Sequence, residues 1–519
     1  MRKHTIGALA ASLVLAFSVA AHAADDDKGA GEAGNKDAKA AKKDDKQIPP
    51  EKTAVSHGSV DVGGKRIGYT ATAGSLLIRD KDDKPNASVF YVAYTADRGR
   101  GDHDRPVTFF YNGGPGSSSV WLHMGSFAPV RVESASAQAT PPPPYHLAPN
   151  QYSLIDRSDL VFIDAVGTGW SKMVGDGKGK DFWGVDQDLD AFAKAITRYV
   201  TINQRWNSPK FLFGESYGTT RSAALVDKLQ GQGMAFNGVV LLSSILNYGA
   251  NSPGLDQSAI GSLPTYAAIA WYHDRVANKP ADLQSFLNDA RAFASGEYAT
   301  ALAKGQNLSA AELDAVANKM AYFTGLSPQY LKESNLRVNQ SRFRKELLRD
   351  QRRTVGRYDG RYEGIDLDAA GENPEYDASD TAIGGAFTAA FNGYAQGTLK
   401  WESDTPYHST GYDIIRDWDW KHAAAGSRRP QNMPYVAGDL AHAMRTNPKL
   451  QVLSANGYFD LATPFYATEY DLSHMQLDPS VRGNLHFVYY PSGHMVYLNV
   501  DALKQFKTDL DAFYDSAAR

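Results

Sequence analysis

A serine hydroxyl is a weak nucleophile until a base takes its proton and an acid orients that base. This chain offers all three residue types at telling places. Ser216 is the centre of Gly214-Glu215-Ser216-Tyr217-Gly218, a G-x-S-x-G pattern. The apolar run Phe211 to Phe213 precedes it as a strand end, and Ser222 to Gln230 follows with helical character. Strand, pattern and helix in that order are the setting of a nucleophile elbow, where a sharp turn lifts the serine oxygen clear of the sheet edge. The five-residue pattern alone also fits a glycine-bearing turn with a buried serine. Asp460 and His494 weigh against that reading. Asp460 lies just beyond the strand-like run Leu450 to Leu453, in Asn456-Gly-Tyr-Phe-Asp460. His494 lies just beyond Leu485 to Tyr490, in Ser492-Gly-His-Met. The residues between hold one helix and one strand, so both loops are expected at the sheet edge that carries Ser216. The chain order Ser, Asp, His is the one that this kind of sheet requires.

A fourth piece is Asn112-Gly113-Gly114-Pro115-Gly116, directly after the apolar run Pro106 to Tyr111. Glycines after a strand let backbone N–H groups approach a developing oxyanion. The expected donors are the amides of Gly114 and Tyr217, with Gly113 as a further candidate. Phosphate binding is the competing use of a glycine loop, but no G-x-x-x-x-G-K-[ST] is present. Asp164 also ends a strand, yet it precedes the serine, which favours a structural role. No cofactor or metal is implied.

The elements that position these residues follow from the apolar pattern. Ser59 to Val62, Lys65 to Ala71, Gly74 to Ile78 and Ser88 to Tyr94 alternate, as in an antiparallel meander. From Pro106 to Leu242, continuous apolar strands alternate with helical stretches such as Asp186 to Thr201, the signature of a parallel sheet covered on both faces. The alternation stops near Asn251. Helix-like periodicity then marks Ala281 to Ser295, Ala310 to Thr324 and Gln340 to Arg353, with a loop-rich stretch from Arg352 to Asp380. Strands return at Leu450 and Leu485, and a last helix covers Asp501 to Tyr514. The fold class is therefore α/β: a mostly parallel central sheet flanked by helices, with an inserted, mainly helical cap. The expected divisions are a signal peptide (1–23), a disordered spacer (24–54), the sheet domain in two parts (55–250 and 435–519) and the cap (251–434).

Composition bounds the rest. Of 519 residues, 43% are hydrophobic, enough for a large core, and the net charge of −4 gives no reason to expect nucleic acid. The absence of cysteine excludes disulfides and thiol catalysis. Met1-Arg-Lys-His4, the apolar stretch Ile6 to Ala20 and Ala21-His-Ala23 read as an export signal cleaved after Ala23, too short for a membrane anchor. The expected location is the periplasm or the medium of a bacterium.

Together, Asn112 to Ser118, Phe162 to Ser171, Gly214 to Gly218, Asn456 to Asp460 and Ser492 to Val496 resemble the serine carboxypeptidases, in a cysteine-free form. The resemblance spans residues 107 to 498. It implies an α/β-hydrolase fold with a helical cap, and removal of C-terminal residues from peptides through an acyl-enzyme. It implies Ser216 as nucleophile, His494 as base and acid, Asp460 as orienter, Gly114 and Tyr217 as oxyanion donors, and Asn112 and Glu215 near the substrate's end carboxylate. The family pairs two glutamates there. Glu215 matches one, but the second place falls near Gly125-Ser-Phe127, where there is no acid, and Ser117 stands where the family has cysteine. An esterase, acyl hydrolase or acyltransferase using the same three residues is the alternative.

Overall fold

A computed structural model describes residues 48–97, 104–427 and 429–518. The expected signal peptide and most of the expected spacer lie outside the described residues. The strands used here are β1 (Thr53–Val62), β2 (Lys65–Arg79), β3 (Pro85–Ala96), β4 (Val107–Tyr111), β5 (Asp159–Ile163), β6 (Lys210–Ser216), β7 (Gly238–Ser244), β8 (Gln451–Gly457) and β9 (Leu485–Tyr490). They form one sheet in the order β1-β2-β3-β5-β4-β6-β7-β8-β9, with the short strand Lys172–Met173 added on β3. β1, β2, β3 and β5 pair antiparallel, and every pairing from β5 to β9 is parallel. The expected meander and parallel sheet are therefore both present, in a single continuous sheet.

Two details differ from the pattern reading. The runs 65–71 and 74–78 are one strand, β2, because ladders to β1 and β3 on both sides carry it through Ala73 and Gly74. β1 begins at Thr53, and Glu51 already binds Arg198 through two hydrogen bonds of 2.7 Å. The last residues assigned to the spacer are thus held in the fold.

Alternation along the parallel strands sends successive side chains to opposite faces, and both faces are dry. Phe109, Leu212, Val239 and Val452 join one core, against helices α2 (Val185–Ile202), α3 (Tyr217–Gly231) and α8 (Ala437–Thr446). Phe110, Phe162, Phe213, Val240 and Leu453 join the other, against α1 (Val120–Gly125), α7 (Gly384–Gly397) and α10 (Val500–Ala517). Phe110 stacks on Phe162 and Phe213 at 4.7 and 4.8 Å, so aromatic contacts tie three neighbouring strands together.

Between β7 and β8 the chain is helical and irregular. α4 (Gln257–Tyr272), α5 (Leu283–Phe293) and α6 (Ala310–Thr324) pack around a third core. α6 starts with a reciprocal cap between Ser309 and Glu312 and stops at Gly325 in the left-handed conformation, as its sequence requires. The third core also takes in Tyr458, Phe459, Leu461 and Phe465, which flank Asp460 and open α9 (Phe465–Ser473). The loop carrying Asp460 is therefore gripped by the inserted helices as well as by the sheet.

Candidate active site

β6 ends at Ser216 and α3 begins at the next residue. Ser216 has φ +61° and ψ −129°, backbone angles that a side chain rarely adopts and that cost about 1–3 kcal/mol. The strain is imposed from both sides. A Cβ on Gly214 would collide with the Gly218 carbonyl, so strand and helix can meet this closely only through glycine. Glu215 and Tyr217 are buried, at 2% and 1% exposure, while Ser216 between them is partly exposed. Tyr217 is the first residue of α3, so its N–H has no acceptor inside the helix.

The glycine loop after β4 lies directly on this turn. A Cβ on Gly113 would collide with the Tyr217 backbone nitrogen, and Gly114 has φ +101°. The amides of Gly113, Gly114 and Tyr217 are thus neighbours at the amino end of α3, where developing negative charge is favoured. The loop is anchored behind. The Asn112 carbonyl accepts from Arg221 Nη1 at 2.9 Å, and Arg221 is held by Asp188 at 2.7 and 3.2 Å in a fully buried ion pair.

Asp460 and His494 meet as their loops leave β8 and β9. His494 Nδ1 lies 2.8 Å from Asp460 Oδ2. Asp460 has no exposed surface and accepts three more hydrogen bonds: from the Ala462 and Thr463 amides at 2.8 and 3.0 Å, and from Thr463 Oγ1 at 2.6 Å. Four donors fix the carboxylate plane and with it the imidazole. The His494 backbone is clamped as well. Its N–H donates to the Tyr358 carbonyl at 2.6 Å, and its carbonyl accepts from Ser243 Oγ at 2.7 Å. The Tyr358 ring lies 5.1 Å from the imidazole. Burial opposes protonation of His494, but the Asp460 carboxylate and its hydrogen bond outweigh it, and the pKa lies above its ordinary 6.5. Among the described residues, Ser216 Oγ and His494 Nε2 make no hydrogen bond to each other or to any other group. Catalytic contacts of this kind are commonly open before substrate binds.

Asn112 and Glu215 are brought together. Asn112 Nδ2 donates to Glu215 Oε1 at 2.8 Å, and Asn112 Oδ1 accepts from the Leu122 amide at 3.0 Å. Burial pushes Glu215 up to about 7, against the lowering effects of His494, Tyr497 and Asn112. Near neutral pH this carboxyl can carry a proton and offer it to an anion. Asp164 has a different setting. Its Oδ1 accepts from Ser119 N, Ser119 Oγ and Tyr407 at 2.8, 2.7 and 3.0 Å, which pins α1 to the segment around Tyr407. That is the structural role expected of it.

Sequence reasoning missed Thr463, Tyr358, Arg221 and Tyr497. Only Arg221, the one charge in the run Tyr217 to Val226, left a signal. The others are recognisable once the loops are folded.

Comparisons with known proteins bear on the family and the fold. A family model described as serine carboxypeptidase matches residues 67–360, which takes in the glycine loop and Ser216 and stops short of Asp460 and His494. A 134-residue stretch is 33% identical to the pheromone-processing carboxypeptidase KEX1 of Saccharomyces cerevisiae, covering 25% of this chain and 17% of that protein. The solved structure of the prohormone-processing carboxypeptidase Kex1Δp of the same yeast superposes with a TM-score of 0.53 at 15% identity, over 86% of this chain and 91% of that one. At that identity the superposition speaks for the fold, which is that of the α/β-hydrolases. The family model spans more than half of the residues, and on that ground the chain belongs to the serine carboxypeptidase family.

Proposed function

We propose that this protein is an exported serine-type carboxypeptidase that removes C-terminal residues from peptides. The observation that carries the reading is the buried Asp460–His494 pair at 2.8 Å, at the same sheet edge as the strained Ser216. His494 Nε2 takes the Ser216 proton as Oγ attacks the scissile carbonyl carbon. Asp460 holds the imidazole in the right tautomer and stabilises the imidazolium. The carbonyl oxygen becomes an oxyanion, received by the Gly114 and Tyr217 amides, with Gly113 beside them. His494 then gives the proton to the leaving amine, and the acyl group stays on Ser216 until water releases it by the same steps. Asn112 and protonated Glu215 receive the substrate's end carboxylate, which limits cleavage to the last residue.

The test has two arms. A fluorophosphonate should label the parent protein at Ser216, and Ser216→Ala should abolish both labelling and peptide cleavage. Cleavage that survives in Ser216→Ala sinks the mechanism. The lack of an acid at Gly125-Ser-Phe127, where the family pairs Glu215 with a second one, favours one rival, an esterase or acyltransferase using the same three residues. Small esters turned over much faster than any peptide would support that rival. Export rests on the composition of residues 1–23, and the mature protein should begin at Ala24 on N-terminal sequencing.

A further inference from the structure

Glu215 has one oxygen unaccounted for. Oε1 is taken by Asn112, but Oε2 is buried and has no formed hydrogen bond. The Tyr497 hydroxyl, three residues beyond His494, is also buried and also without a formed bond. Tyr497 is 1% exposed, and Glu215 and Asn112 are each 2% exposed. Both residues lie against α1: Asn112, which holds Glu215, accepts from the Leu122 amide, and the Tyr497 ring lies on Gly125. Each is also among the groups that shift the other's ionisation. Two buried polar atoms left without partners are costly unless something completes them. The position of Tyr497 is fixed by its ring. A Cβ on Gly125 would lie 2.5 Å from Tyr497 Cε2, so a side chain at 125 would force this ring to move. The space near Gly125–Phe127, where the resemblance puts a second acid, is occupied by a phenol.

We infer that Tyr497 stands in for a second acid: a positioning residue whose hydroxyl holds the Glu215 carboxyl in the orientation that receives a peptide's end carboxylate. The inference rests on the carboxypeptidase reading for the identity of the ligand, and on the two orphan atoms for the pairing itself. Its chemical consequence differs from that of two glutamates. Two carboxyls in one site push one of the two pKa values strongly up, whereas a phenol donates to the ionised form and draws Glu215 down. The groups facing Glu215 are His494, Tyr497 and Asn112, which favour its charged form, and Asp460, which opposes it. Burial and the Glu215 charge hold Tyr497 well above its ordinary range, so the phenol keeps its proton throughout. Peptide binding should then weaken as pH rises past about 7, where Glu215 ionises and repels the substrate carboxylate.

Tyr497→Phe removes the hydroxyl and leaves the ring on Gly125. The first readout is the Glu215 titration in the full substrate-free chain, taken from the infrared carboxyl band that disappears in Glu215→Gln. The second is KM against pH for a peptide with a free C-terminus. In Tyr497→Phe the titration should move to higher pH by about half a unit or more. The pH at which KM begins to climb should move with it. Below that pH, KM should rise about fivefold, the worth of one neutral hydrogen bond, with kcat little changed. In a Glu215→Gln background, where that titration is absent, Tyr497→Phe should leave KM unchanged at every pH. An unmoved titration, or an effect on KM that persists without Glu215, overturns the inference. If the titration moves while free and amidated peptides show the same KM, the pairing stands and the carboxypeptidase reading falls.

Discussion

Ser216, Asp460 and His494 were legible because each sits where a strand ends in a loop of small residues, and such loops interrupt an apolar pattern visibly. Thr463 and Tyr358 were not. Nothing in their own neighbourhoods announces that Thr463 Oγ1 reaches Asp460, or that the Tyr358 carbonyl, from a distant loop, receives the His494 amide. At this scale two outcomes are expected. Asp460→Asn should keep the fold and lower kcat about 10⁴-fold, because the amide favours the wrong tautomer of His494. The pH profile follows from His494, which must be neutral to act as base. Its pKa is raised, so the rate should fall as pH drops through a value above 6.5, and the acid limb of kcat/KM against pH checks this. In Asp460→Asn the limb of the residual activity should move to lower pH, since the charge that raised the pKa is gone. A limb that stays in place would mean that another group sets it.

Helices and strands with strong periodicity were legible as elements. α6 runs over the expected residues, α2 extends its range by one residue at each end, and α10 by one at its start and three at its end. Connections between elements were less so, because they depend on side chains that meet only in three dimensions. His422 is one. Its Nδ1 lies 2.7 Å from Asp186 in the first turn of α2, and its Nε2 lies 3.0 Å from Asp439 in the first turn of α8. Burial disfavours charge on His422, but the two carboxylates overrule it and push it up to about 9. The imidazolium therefore staples a loop to two helix starts. A folded pKa above the unfolded 6.5 gives stability that is complete below 6.5 and is lost as pH rises through about 9. The interval is worth about 3 kcal/mol. Urea midpoints of the parent protein should fall across that window more steeply than those of His422→Ala, which should start lower and stay flatter. Parallel curves would remove His422 from the account of alkaline stability.

At the scale of the molecule, the sheet and its cap were both readable from the change of period near Asn251, but their interlock was not. The loop 356–361 reaches from the inserted region to the catalytic edge. Asp359 and Arg361 form a buried ion pair, and Arg361 also donates to the Pro491 carbonyl at 3.2 Å, three residues from His494. The Gly360 amide donates to the Phe459 carbonyl, and the Leu461 amide to the Arg357 carbonyl, on either side of Asp460. Cap and catalytic loops should therefore fail together. Arg361→Ala leaves Asp359 buried without its partner and should cost about 3–5 kcal/mol in urea unfolding, with a loss of kcat in the same variant. Full activity in a protein so destabilised would show that the cap does not position His494.

The most direct measurement compares the parent protein on two peptides of one sequence, one with a free C-terminal carboxylate and one amidated, read by mass spectrometry at pH 6. Release of the last residue from the free peptide should be at least ~10²-fold faster in kcat/KM, the difference left when a polar group built for the carboxylate goes unpaired. Equal rates on the two peptides, or cuts within the chain, would contradict a carboxypeptidase and the role given to Glu215.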